Sequence, residues 1–231
     1  MKYQHIFFDL DHTLWDFETN AKATLFDLYS LHQLSNCGIA SFNQFFERYS
    51  YHNERLWDRY TKGFIKQDEL RWKRMWLALL DFKIADEALS RQMAVDFLER
   101  LPLKNAVFPY TNEILQYLTN KHYHLHLITN GFEAVQHKKL KNAQLQSYFK
   151  KVITSEVSNS LKPNKEIFLY ALQQTGAQVH NSLMIGDNLD ADIQGAANVG
   201  MDSVFVNHLN IQPHKPSTYV VNHLQQLETI L

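Results

Sequence analysis

The residues best suited to chemistry are acids placed where apolar runs stop. Asp9-Leu10-Asp11-His12-Thr13-Leu14 follows the apolar Ile6-Phe7-Phe8, which has no use for charge. In extended backbone, residues i and i+2 project to the same side, so the carboxylates of Asp9 and Asp11 start out as neighbours. At the carboxyl end of a parallel strand they face the crevice where α/β proteins take ligands. Read alone, the pair is also what a strand followed by an Asp-rich turn looks like. A second acidic group, Gly186-Asp187-Asn188-Leu189-Asp190-Ala191-Asp192, follows Leu183-Met184-Ile185 and precedes a helical stretch. Capping by Asn188 or Asp190, with acids in a first turn suiting the helix dipole, is expected to explain Asp190. It does not explain Asp187, which stands directly after a strand as Asp9 does.

If both strand ends share one crevice, several carboxylates converge and repel. A hard, oxygen-liganded Mg²⁺ resolves the repulsion and keeps positions for water and phosphate oxygens. Two further features then acquire meaning. Thr129-Asn130-Gly131, at the end of another apolar run, offers a hydroxyl and main-chain N–H groups to phosphate. Lys162, before Pro163, offers a positive charge. Each has a plainer reading: Thr-Asn-Gly is a good turn, and a lone lysine before a helix usually faces solvent.

The elements that must position these residues follow from periodicity. Short β-type runs at 6–8, 124–128, 152–154, 183–185 and 203–206 are separated, after the first gap, by helical patterns at 110–120, 133–143, 165–175 and 191–199. Strands alternating with helices predict an α/β fold with a Rossmann-like parallel sheet. Between about residues 17 and 104 the pattern is helical only, with amphipathic stretches at 23–34, 42–60, 68–80 and 88–101. The expected organisation is a core of 1–16 and 105–231 with an inserted helical bundle at 17–104.

Bulk properties exclude several function classes. The 231 residues are 45% hydrophobic with a net charge of -1, so there is no global positive field for a nucleic-acid polymer. The basic run His137-Lys138-Lys139-Leu140-Lys141 reads as a solvated helix face. One cysteine, Cys37, permits neither an internal disulfide nor a C-x-x-C site. The opening apolar stretch is interrupted by charge too early for a signal peptide, and no run approaches a membrane span, so a soluble cytoplasmic protein is expected. His122, His124 and His126 alternate and are expected on one solvated or helix-covered face, without the company of a metal site. There is no G-x-x-x-x-G-K-[ST], G-x-G-x-x-G or H-E-x-x-H.

Taken together and in order, Asp9-x-Asp11-x-Thr13, Thr129, Lys162 and Gly186-Asp187-x-x-x-x-Asp192 resemble the four motifs of the haloacid-dehalogenase-like hydrolase superfamily. The helical insertion resembles the cap of its first subclass. The resemblance implies an Mg²⁺-dependent phosphatase with Asp9 as nucleophile and Asp11 as general acid/base. Thr129, Asn130 and Lys162 would bind the substrate phosphate. Asp9, Asp11 and Asp187 would bind metal, and Asp192 would support it. Asp11 favours phosphate chemistry over dehalogenation, because attack on carbon leaves no alcohol to protonate.

The segments 7–17 and 161–168 resemble the house-cleaning pyrimidine 5'-nucleotidases of that superfamily, which implies a small-molecule phosphate ester, a nucleoside 5'-monophosphate, as substrate. Trp15, Phe17, Trp57, Tyr60, Trp72 and Trp76 are candidate surfaces for a base, with packing the competing role. Phe42, Phe45, Phe46 and Tyr49 have the spacing of a core stripe. Sugar-phosphate or phosphoglycolate hydrolysis, a phosphoglucomutase-like transfer, and a binding module with a vestigial site are the alternatives.

Overall fold

A computed structural model describes residues 2–231. β1 (His5–Phe8) is buried along its whole length. That is the environment a continuous apolar run finds in a parallel sheet covered on both faces. The chain then enters four helices, α1 (Phe17–Leu31), α2 (Phe42–Thr61), α3 (Gln67–Leu80) and α4 (Glu87–Arg100). It continues through α5 (Thr111–Asn120), β2 (His124–Thr129), α6 (Glu133–Asn142), β3 (Lys151–Thr154), α7 (Ser155–Ser158) and α8 (Lys165–Thr175). β4 (Ser182–Gly186), α9 (Gln194–Ala197), β5 (Asp202–Val206) and β6 (Tyr219–Val221) complete it.

Six parallel strands form one sheet in the order β3-β2-β1-β4-β5-β6. Phe8 of β1 registers with Leu127 of β2 on one side and Ile185 of β4 on the other. The order reverses at β1, and that switch point opens a crevice beyond the strand ends. Phe7, Ile128 and Met184 pack with Phe168 and Ile167 of α8 in the apolar layer beneath it.

By its contacts the chain divides into two compact units, Met1–Phe17 with Asn105–Leu231, and Glu18–Lys104. In the helical unit, Ser41 accepts from the Gln44 N–H to start α2, and Asp86 accepts from Leu89 to start α4. Phe45 and Tyr49 lie one turn apart on the buried stripe of α2, joined in the core by Leu25, Leu28, Met75 and Phe97. Trp57, Tyr60, Trp72 and Trp76 are half-buried.

The α/β parallel sheet agrees with the periodicity, while three local readings are corrected. β6 escapes notice because it has three residues and follows a segment containing Pro213 and Pro216. The stretch read as helix from residue 191 begins earlier, as a π-helical turn at Leu189–Ile193, before α9. His122 precedes β2 with φ of 66° and is exposed, so the histidines that share a face are His124, His126 and His5, which registers with His124.

Candidate active site

Asp9 is the first residue past β1, and its N–H still donates to the Ile185 carbonyl (2.9 Å), which fixes it at the mouth of the switch point. Two residues on, Asp11 begins a tight loop in which His12 takes the left-handed conformation (φ 63°) and its N–H donates to the Trp15 carbonyl at 2.9 Å. The loop returns Thr13 beneath β4. The Thr13 hydroxyl donates to Asp187 Oδ1 (2.8 Å) and accepts from the Asp187 N–H (3.1 Å), joining the two acidic motifs.

Lys162 is 2% exposed, not solvent-facing. Its Nζ donates to Asp9 Oδ1 (2.5 Å), Asp192 Oδ1 (2.6 Å) and the Ile128 carbonyl (2.8 Å), so all three ammonium hydrogens are used. Asn130 supports it from below: its Oδ1 accepts from the Lys162 N–H and its Nδ2 donates to the Lys162 carbonyl. The Asn130 side chain thus holds Lys162, and what remains for a phosphate is its main chain. Asp192 uses its second oxygen to accept from the Asn188 N–H at 3.0 Å. Gly186 makes room for this carboxylate, since a Cβ there would overlap Asp192.

Oxygens of Asp9, Asp187 and Asp192 lie within 4.8 Å of one another. Burial pushes the Asp9 carboxyl up to about 7, with Lys162 pulling it down and Asp192 and Asp11 adding repulsion. Burial raises Asp187 as well, reinforced by the charges of Asp192 and Asp9. For Lys162, burial works against the ammonium, but Asp192 and Asp9 outweigh it and hold the group above its ordinary value.

Asp11 lies outside that trio. Lys139 Nζ donates to both of its oxygens (2.6 and 2.9 Å), and Gln136 Nε2 donates to Oδ2 at 2.8 Å. The reading of Lys139 as part of a solvated basic face is therefore wrong. Its side chain is 3% exposed and its ammonium stands 4.3 Å from the Trp15 ring centroid. The signal was positional: Gln136, Lys139 and Leu140 share the buried face of α6, with the buried Phe132 just before its first turn, while His137, Lys138 and Lys141 are exposed. Trp15 is fully buried, which removes it as a stacking surface for a base. Asn188, not Asp190, caps the turn after β4 by accepting from the N–H groups of Asp190 and Ala191, and Asp190 pairs with Lys215 instead.

The donor set fits a divalent cation. Four carboxylates, Asp9, Asp11, Asp187 and Asp192, face two ammonium groups, Lys139 and Lys162. The carboxyl groups outnumber the ammonium groups, and hard oxygen donors match a hard cation. The parallel sheet and its switch point bring two acidic strand ends, Asp9 and Asp187, into one cluster with Asp192, and the buried Lys162 holds Asp9 and Asp192.

The model of the haloacid dehalogenase-like hydrolases matches residues 3–200, and the chain belongs to that family. It is 30% identical to the pyrimidine 5'-nucleotidase PynA of Streptococcus pneumoniae, over 98% of this chain and 94% of that protein. To the pyrimidine 5'-nucleotidase YjjG of Escherichia coli it is 32% identical, over 100% and 99%. The crystal structure of YfnB from Bacillus subtilis bound to magnesium superposes with a TM-score of 0.90 at 24% identity, covering 100% of this chain and 99% of that one. At that identity the superposition speaks for the fold.

Proposed function

We propose that the protein is an Mg²⁺-dependent phosphatase that transfers the phosphoryl group of a nucleoside 5'-monophosphate to Asp9 and then hydrolyses the aspartyl-phosphate. The observation that carries this reading is the placement of Asp9 at the switch point, held by Lys162 and grouped with Asp187 and Asp192.

Asp9 attacks phosphorus through the oxygen that Lys162 does not hold. A bond forms from this oxygen to phosphorus as the bond to the leaving oxygen breaks, and Asp11, held as a carboxylate by Lys139 and Gln136 in this structure, takes up a proton from solvent before it gives one to that oxygen. Water then attacks the same phosphorus, Asp11 takes the proton back, and Asp9 is released as a carboxylate. Thr129, the Asn130 main chain and Lys162 orient and neutralise the phosphate oxygens, which is most of what phosphoryl transfer asks of a protein. The Lys162 hydrogen now on Asp9 is the one free to follow the phosphoryl group. Asp9 and Asp187 would hold the metal with Asp192 beside them, while Lys139 and Gln136 hold the Asp11 carboxylate. When bound, Mg²⁺ supplies charge neutralisation at the transferring phosphate.

The two nucleotidases similar to this chain over nearly its whole length support a pyrimidine nucleotide as substrate. A glyceraldehyde 3-phosphate phosphatase of Methanothermobacter thermautotrophicus is 33% identical, but over 54% of the chain, and it keeps a sugar-phosphate reading in second place. The crevice residues grip phosphate and metal, so we assign choice of the leaving group to the helical unit, acting as a cap. The test measures kcat/KM for pyrimidine and purine nucleoside monophosphates, sugar phosphates and phosphoglycolate with Mg²⁺. Pyrimidine nucleotides are expected to turn over fastest. Faster turnover of sugar phosphates refutes the nucleotidase assignment, and no turnover of any ester refutes the phosphatase.

A further inference from the structure

Gln136, so far only a partner of Asp11, is completely buried and points two hydrogen bonds into the site. Its Nε2 donates to Thr129 Oγ1 (2.8 Å) and to Asp11 Oδ2 (2.8 Å), which uses both amide hydrogens. The orientation is chemically fixed, because a carboxylate oxygen accepts and only the NH₂ end can face it. The opposite end, Oε1, is buried without a hydrogen-bond partner among the described residues. A buried amide that leaves its own oxygen unsatisfied loses stability, so the bonds at its other end are the reason for its position.

Thr129 Oγ1 also accepts from the Gly131 N–H at 3.1 Å. A hydroxyl has two accepting lone pairs and one hydrogen to give. With Gln136 and Gly131 on the two lone pairs, the Thr129 hydrogen is left to donate, and Thr129 is 2% exposed at the end of β2 beside the crevice. Gly131 belongs to the same device for a second reason. A Cβ there would run into the Gln136 amide, so the site requires glycine if Gln136 is to reach Thr129.

We propose that Gln136 is a positioning residue: by occupying an acceptor site of Thr129 it turns that hydroxyl into an obligate donor aimed at the substrate phosphate. The second bond, to Asp11, anchors the amide in the orientation this requires. The inference rests on the phosphatase reading and deepens it by assigning the donor direction at the phosphate site.

The experiment compares wild type, Gln136→Met, Thr129→Val and the double variant, reading kcat/KM on the best ester and, by calorimetric titration with Mg²⁺ present, Kd for inorganic phosphate. Gln136→Met keeps the side-chain volume and removes the amide. It should weaken phosphate binding and lower kcat/KM by about tenfold, the loss of one hydrogen bond. In the Thr129→Val background, where no hydroxyl remains to be aimed, the same substitution should have almost no further effect. A merely structural role predicts equal losses in both backgrounds, and that result overturns the proposal, as does unchanged phosphate affinity. Gly131→Ala, which displaces the amide without deleting a polar group, should reproduce the loss and replaces Gln136→Met if that variant does not fold. Wild type that neither binds phosphate nor cleaves esters sinks the phosphatase reading and this inference with it; active wild type with unchanged variants sinks this inference alone.

Discussion

At Asp9 a single atom separates the proposed nucleophile from an inert amide. Asp9→Asn is nearly isosteric, and Lys162 keeps Asp192 and the Ile128 carbonyl as partners, so the fold should persist. Turnover of the best ester should fall on the order of 10³-fold or more, because no covalent intermediate can form. The same change removes one of several buried, mutually repelling charges, so the melting temperature in EDTA at pH 7.5 should rise above that of wild type. Wild-type turnover in Asp9→Asn would exclude this nucleophile. Trp15 calls for the opposite expectation. Its ring is fully buried, so Trp15→Ala should cost about 3–5 kcal/mol in urea unfolding while leaving the ratio of pyrimidine to sugar-phosphate turnover unchanged. A shift in that ratio with stability retained would return Trp15 to the substrate.

Strand β2 carries the proposed phosphate contact at one end and a pH liability along its length. Thr129 closes it at the crevice, while His126, midway along, is buried with its ring stacked against His5 at 5.4 Å between centroids. Burial, followed by the charges of His5, His124, Lys150 and Lys151, lowers His126 from 6.5 to about 3. Its folded value lies below its unfolded one, so between pH 6.5 and 3 the unfolded chain binds the additional proton. Stability contributed by neutral His126 is therefore present above about pH 6.5 and is lost as pH falls towards 3, at a slope of up to about 1.4 kcal/mol per pH unit. His126→Phe should retain the stacking volume and flatten this part of the stability profile in denaturant titrations from pH 7 to pH 4. Parallel profiles for the two proteins would show that His126 accepts its proton in the folded state.

For the molecule as a whole, a net charge of -1 conceals a site in which four carboxyl groups face two ammonium groups. Exhaustive EDTA treatment should abolish activity and Mg²⁺ should restore it. Ca²⁺ should be a poor substitute, because its larger and looser coordination shell disturbs in-line geometry. Mg²⁺ should also raise the melting temperature, by mass action on the folded state, without substrate present. Asp187→Asn should largely remove that thermal response. Full activity after chelation defeats the metal assignment, whatever the substrate proves to be.

Sequence alone determined which strand ends carry acids and that the sheet is parallel. Both are local properties: apolar runs of strand length, alternating with helical periods, with Asp9 and Asp187 immediately after two of them. It also supplied the motif order that resembles the family. Tertiary structure alone decided how the charges are paired. Lys162 reaches Asp9 across 153 positions and Lys139 reaches Asp11 across 128, separations at which no periodicity carries information. Polar residues on a helix face look alike in sequence whether the face meets water or a strand end. Hence Lys139 reads as solvated, Gln136 passes unnoticed, and Trp15 looks available for a base until the loop after β1 folds it beneath Lys139. The acids proposed to react announce themselves by spacing, whereas the residues proposed to orient them are selected by packing between distant segments, which only the folded chain brings within hydrogen-bond distance.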